Sequence, residues 1–198
     1  MMRLRRILEL SDKSFKSALP TRGKYYRLTL KERGKKVGKR NLKIPLILCL
    51  GNEILSDDGF GAEVARLLAQ DVSVTEAADV IFAPLAGFAL LDLLVGRPRA
   101  LIVDTIRTGT AKPGTLHRFP AAELAVTNHL TTSHQLSLPA AMELGRRLKW
   151  NIPDDIEVLA VEAQELERFE ERLSEPVQAA VSEAVRIVKD WTSQKTKG

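Results

Sequence analysis

The chain has 198 residues, with 30 Lys and Arg against 25 Asp and Glu, one Cys, 44% hydrophobic and 5% aromatic residues, which fits one globular domain with room for a real core. The single cysteine, Cys49, excludes an internal disulfide and a Cys-only zinc cage, so any metal must be held by His and carboxylates, and a reducing cytoplasm is the expected setting. The longest apolar run, Val80 to Leu91, is 12 residues long and stops at Asp92, short of the roughly 18 to 20 residues that cross a bilayer.

The net charge of +5 hides a split: residues 1–43 carry 15 Lys and Arg against 3 Asp and Glu, whereas residues 44–198 carry 15 against 22. The basicity belongs to the leader and not to the domain. A basic domain would point to nucleic acid, but the stretch Arg22 to Lys43 has little apolar periodicity and reads as a disordered tail. A nucleic-acid or membrane-surface arm, an organellar presequence and a mis-assigned start compete to explain it. Residues 1–41 are set aside as an extension, with neither nucleic acid nor membrane expected as a partner, and the domain is expected over 42–198.

From Ile44 to Leu50 the chain is apolar on both faces, as in a central parallel strand covered by helices on each side. Gly51 and Asn52 end it, and Asp57 or Asp58 supplies an N-cap for a helix through about Gln70, with Val64, Ala65, Leu67 and Leu68 as its apolar stripe. Val80 to Phe82 then reads as a short strand, Gly87 to Val95 as a helix, and Leu101 to Val103 as a buried strand that ends in Asp104. Gly109 and Pro113-Gly114 mark a turn before a more exposed, alternating strand, Thr115 to Phe119. A helix is expected over Gln135 to Trp150 and a strand over Ile156 to Val161. The last helix has Pro176 near its first turn and Val177, Val181, Ala184, Val185, Val188 and Trp191 at three- and four-residue spacing. This alternation predicts a three-layer α/β domain with a mostly parallel twisted sheet of about five strands flanked by helices.

In such sheets ligands bind beyond the carboxyl ends of the strands, which singles out Asp58, with Asp57 beside it, and Asp104. Carboxylates there would repel a bare phosphate unless a cation lay between them, and neither G-x-G-x-x-G nor G-x-x-x-x-G-K-[ST] occurs. Helix capping is the plainer role for Asp57 or Asp58, and a turn cap for Asp104. Of the three histidines, His117 falls in an alternating segment and reads as a surface or edge-strand residue. His129 and His134 bracket a Thr/Ser-rich loop before a helix, where a metal ligand or general base would sit. H-E-x-x-H and G-x-S-x-G are absent. A triad of Ser133, His134 and Asp104 stays open, although adjacent Ser133 and His134 are poor partners. Cys49 reads as a core residue.

Three segments resemble one family in order. Gly51-Asn52-Glu53-Ile54-Leu55-Ser56-Asp57-Asp58-Gly59-Phe60-Gly61 resembles the G-N-x-x-x-x-D-[DE]-x-x-G opening of the hydrogenase maturation proteases, Leu101 to Ile106 their second motif, and Ser133-His134-Gln135-Leu136 their third. The resemblance spans about Ile44 to Trp191. It implies an endopeptidase that removes the C-terminal extension of a nickel-iron hydrogenase large-subunit precursor once nickel has been inserted. The metal-contacting positions fall on Asp58, Asp104 and His134, with Asp57 as a cap or a supporting group. Two carboxylates and one imidazole leave coordination positions open, so the nickel is expected to arrive with the precursor and not to be held permanently. Such a metal could polarise the scissile carbonyl or activate a water.

One departure is visible. Where many relatives have an Asp-Gly-Gly-[ST] turn after the second strand, this chain has Phe82-Ala83-Pro84-Leu85, which implies a different hydrogenase subtype or cleavage sequence. The protein is expected to be a monomer. A nickel-checkpoint protein that binds the precursor without cutting, and a metal-assisted hydrolase of another amide or phosphoester, are the rival functions.

Overall fold

The computed structural model describes residues 42–84, 90–125 and 138–194. Five strands form one sheet: β1 (Leu46–Leu50), β2 (Asp79–Ala83), β3 (Ala100–Ile106), β4 (Leu116–Pro120) and β5 (Ile156–Glu162), in the spatial order β2-β1-β3-β5-β4. All neighbours run parallel except β4, which is antiparallel to β5 at the edge. Every residue of β1 and β3 is buried. Helices cover both faces of these central strands, which is why their sequence is almost continuously apolar. The half-exposed alternation of β4 suits an edge strand.

The helices are α1 (Phe60–Leu68), α2 (Val72–Ala77), α3 (Leu91–Leu94), α4 (Leu138–Arg147) and α5 (Glu175–Ser193). Ile47, Cys49, Leu101, Val103, Leu159 and Val161 face α1, α2 and α5, whereas Leu48, Leu50, Ile102 and Val158 face α3 and α4. Three layers result, as the sequence predicts. Along α5 the expected stripe is buried at Val177, Val181, Ala184, Val188 and Trp191. Trp191 is fully buried. Its indole Nε1 donates to Glu157 at 3.1 Å, and the Arg99 guanidinium lies 4.1 Å from the ring centroid while donating to the Trp191 carbonyl at 2.9 Å. A cation thus closes the C-terminal end of α5, where the helix dipole favours one. Among the described residues no helix is long and apolar enough to cross a membrane.

Several elements differ from the sequence expectations. Helix α2 has no counterpart there: its β-branched Val72, Val74 and Thr75 mask the helical signal, and the Asp71 side chain starts it by accepting the Ser73 N–H at 3.0 Å. The helix expected from an Asp57 or Asp58 cap begins later, at Phe60. Its N-cap is Gly59, without a side-chain bond, and Asp57 and Asp58 lie in a 3-10 turn over Ser56–Gly59. Strand β3 does not stop at Val103 but continues to Ile106, so Asp104 lies within the strand and not beyond it. The cause is β5, which extends the ladder through Asp104↔Ala160 and Ile106↔Glu162, pairing that outweighs the low strand propensity of Asp. Phe82 and Ala83 are the last residues of β2 and not part of a turn. The described part of the helix expected over Gln135 to Trp150 is Leu138–Arg147, and Lys149 has a left-handed φ of 57°.

The chain order fixes where a ligand can sit. From β1 the chain passes through α1 and α2 on one face to β2, then through α3 on the opposite face to β3, which is the other neighbour of β1. Connections that leave a strand pair on opposite faces open a crevice at its carboxyl end. That switch point lies between β1 and β3.

Candidate functional site

The loop leaving β1 is folded tightly over the strand end by two glycines. Gly51 has φ +134°, and a Cβ there would lie 1.9 Å from the Asp58 carbonyl oxygen. The Asn52 N–H donates to that same oxygen at 3.0 Å. At Gly61 a Cβ would lie 2.0 Å from the Leu50 carbonyl oxygen, so the first turn of α1 rests directly on the end of β1. The spacing from Gly51 to Gly61 is therefore a packing requirement. It carries Asp58 back over β1, and the Asp58 N–H is fixed on the Leu55 carbonyl at 2.9 Å.

Asp58 and Asp104 meet through one residue that the sequence analysis did not single out, Thr105. Its backbone N–H donates to Asp104 Oδ1 at 2.8 Å and its hydroxyl to Asp58 Oδ1 at 3.3 Å. Asp104 and Thr105 are buried in β3, and Asp58 is nearly so. Asp58, in the turn after β1, is thus bonded to the residue that follows Asp104 in β3, and both acids belong to the switch point. Two carboxylates at one crevice favour an arriving cation. Cys49 belongs to the core, as expected. Burial, and secondly the Asp104 charge, push its thiol far up, so it stays protonated and is no nucleophile.

Asp57, next to Asp58, does a different job. Its Oδ2 accepts the N–H groups of Gln164 and Glu165, both at 2.8 Å, and the Ser174 hydroxyl at 3.0 Å, while Oδ1 accepts the Ser174 N–H at 2.7 Å. Ser174 is the N-cap residue of α5. The carboxylate therefore caps no part of the helix that follows it in sequence. It ties segment 163–174 to the β1 loop, and a parallel bridge between Leu55 and Glu170 extends the tie.

A second buried carboxylate at a strand end, Glu162, was also not anticipated. It closes β5 and accepts the N–H groups of Thr108 at 2.8 Å and Gly109 at 3.0 Å and the Thr108 hydroxyl at 2.8 Å. His117 Nε2 lies 3.5 Å from its Oε2. The rule that selects Asp104, an acid at the end of an apolar strand, would have selected Glu162 too. His117 sits on the edge strand β4, as expected, opposite Ala160. His129, Ser133 and His134 lie outside the described residues. Among the described residues no three His, Cys, Asp or Glu side chains converge into a set that could hold a metal.

An α/β domain with paired carboxylates at the switch point defines a class of fold and site, and comparison with known proteins narrows it. The HycI hydrogenase maturation protease model matches residues 62–191, a span that starts just after Asp58 and includes Asp104 and His134. This chain belongs to the hydrogenase maturation protease family, whose members are endopeptidases. The hydrogenase expression/formation protein HoxM of Azotobacter vinelandii is 25% identical over 158 residues, 76% of this chain and 72% of that protein. The hydrogenase maturating endopeptidase HybD of E. coli has a similar fold, with a TM-score of 0.64, 23% identity, and coverage of 73% of this chain and 89% of that one. For the [NiFe] hydrogenase maturation protease HybD of Thermococcus kodakarensis the TM-score is 0.59 and the identity 28%, over 76% of this chain and 99% of that one.

Proposed function

We propose that this protein removes the C-terminal extension of a nickel-iron hydrogenase large-subunit precursor after nickel insertion, and that Asp58, Asp104 and His134 recognise the nickel carried by that precursor. Family membership supports the reaction class. The observation that supports the site is the Thr105 hydroxyl bond to Asp58, which fixes the carboxylate of the β1 loop on the residue that follows Asp104 in β3, at the crevice. Oxygen donors of this kind, with one imidazole, suit a borderline divalent ion and leave positions for the substrate's own ligands. Nickel is then part of the substrate. A precursor without it lacks the cation that draws its C-terminal segment between the carboxylates, so recognition and proofreading are one contact.

In this scheme Asp58 and Asp104 orient the incoming metal-bearing segment, and the Thr105 hydroxyl holds the Asp58 carboxylate in place. The metal, when present, supplies Lewis-acid polarisation at the scissile bond. The protein acts in the cytoplasm as a monomer, over residues 42–198. Residues 84 and 85, which follow β2 where relatives carry an acidic turn, bias the choice of hydrogenase subtype. Intact-mass spectrometry of a cognate precursor, nickel-loaded and nickel-free, tests this. Loss of a C-terminal peptide from the nickel-loaded form alone is expected. Binding without any mass change would replace the proposal with a non-cutting checkpoint role.

A further inference from the structure

The tie between the β1 loop and segment 163–174 builds a surface beside the site. The Glu170 N–H donates to the Ile54 carbonyl at 3.1 Å and the Ser56 N–H to the Glu170 carbonyl at 2.7 Å. This is an isolated parallel bridge with Leu55 opposite Glu170, and the Glu170 bond to the Ile54 carbonyl brings the backbones of the preceding residues, Ile54 and Phe169, alongside each other. Both are large and apolar, and they are 50% and 81% exposed. An aromatic ring left in water by a mobile loop would be ordinary. Here both flanks of the ring are pinned: Asp57 holds Gln164, Glu165 and Ser174, and the bridge holds Glu170. The ring is therefore presented on a preorganised backbone, four residues in sequence from Asp58 on the Ile54 side.

The surroundings define what fits. Arg168 pairs with Glu170 at 3.2 Å, and Arg107 approaches Glu167 at 4.0 Å. An apolar centre with an ion-paired rim is the anatomy of an interface hot spot. Segment 163–174 carries four Glu and two Arg, and with Arg107 beside it the rim is net negative by one charge.

We infer that Ile54 and Phe169 form a docking platform for the hydrogenase precursor, taking an apolar side chain flanked by Lys or Arg. The platform rests on the endopeptidase reading above and adds the partner's chemistry to it. It anchors the precursor while the carboxylates engage the metal-bearing segment, and its negative rim disfavours acidic competitors.

The test uses the full chain and the variants Phe169→Ala and Phe169→Leu, with cleavage followed by intact mass and nickel-loaded precursor affinity by interferometry. Phe169→Ala should raise both KM and Kd by about 10-fold or more with kcat within about twofold, and Phe169→Leu should recover most of the loss. If wild type cuts and Phe169→Ala leaves KM and Kd unchanged, the platform is wrong and the protease stands. If wild type binds without cutting but Phe169→Ala weakens binding, the platform stands and the protease reading falls. A cognate precursor that is neither bound nor cut overturns both. Conversion of a dimer to a monomer by Phe169→Ala in light scattering would assign the surface to a second copy of the chain and overturn the proposal.

Discussion

Adjacent Asp57 and Asp58 should respond differently to the same substitution. In Asp57→Asn one carboxylate oxygen becomes an NH2 group. If the amide oxygen replaces Oδ2, which accepts from Gln164, Glu165 and the Ser174 hydroxyl, the NH2 faces the Ser174 N–H that Oδ1 now accepts. Hydrogen bonds to a charged acceptor contribute about 1.5 to 3 kcal/mol each, and neutral ones about 1. One bond reversed and three weakened, with some relaxation toward water, give a loss of about 3 kcal/mol, or a fall in Tm of about 6–12 °C for a domain of this size. Hydrogen exchange should locate the effect: the amides of Gln164, Glu165 and Ser174 should exchange on the order of 100-fold faster, since each 1.4 kcal/mol is a factor of ten. Asp58→Asn keeps this anchor and should melt close to wild type, and under the proposed function it should lose nickel-dependent cleavage. An Asp57→Asn protein that melts within about 2 °C of wild type, with unchanged exchange at those amides, would refute the anchoring role.

Other consequences follow from the same contacts. Gly51→Ala should fail to fold or lose about 3 kcal/mol or more in urea unfolding, because its methyl group would overlap the Asp58 carbonyl at a left-handed φ. Glu162→Ala leaves the Thr108 and Gly109 N–H groups without their acceptor and should cost about 2–4 kcal/mol, with faster exchange at both amides. Cys49 should resist thiol reagents at pH 8 until the protein is unfolded, since burial holds its thiol protonated. Asp71 is held well below the usual carboxylate range, first by its bond to Lys189 and then by Ser73. Its stabilising contribution is therefore fully present above about pH 4 and is lost as pH falls through the depressed value. The Tm difference between wild type and Asp71→Asn should be constant from pH 7 to 5 and shrink only in more acidic solution.

The parts of this protein that were legible in its sequence are those where one residue type serves one neighbour. β1 and β3 are apolar because both their faces are covered, and the stripe of α5 repeats because a single face packs on the sheet. Where the partner is distant in sequence, the signal fades. Asp57 looks like a local helix cap, but its acceptor atoms serve residues more than 100 positions away. Asp104 looks like a strand end because Asp is a poor strand former, and only the ladder with β5 shows otherwise. Thr105 has no motif of its own; its role exists only because the loop after β1 brings Asp58 above it. Val72 to Ala77 hid its helix behind β-branched residues, and a short Asp71 cap was the sole clue.

The adjacent acids also suggest how such a site can change partner without changing chemistry. Asp58 is tied to β3 through Thr105, whereas Asp57 fastens segment 163–174. Glu167, Arg168 and Phe169, in the middle of that segment, are exposed, Phe169 above all, so they can vary while Asp57 keeps the backbone in place. The same holds on the opposite side of the crevice. Phe82 and Ala83 are committed to β2 by their pairing with Cys49 and Leu50, which leaves the residues after them as the variable part. Changes in precursor preference should therefore map to the exposed middle of segment 163–174 and to the residues following β2. Under the proposed function, exchanging either stretch for that of a relative should alter KM between precursors without altering a nickel dependence of cleavage. Loss of nickel dependence after such an exchange would mean that docking and metal recognition are not separable in this fold.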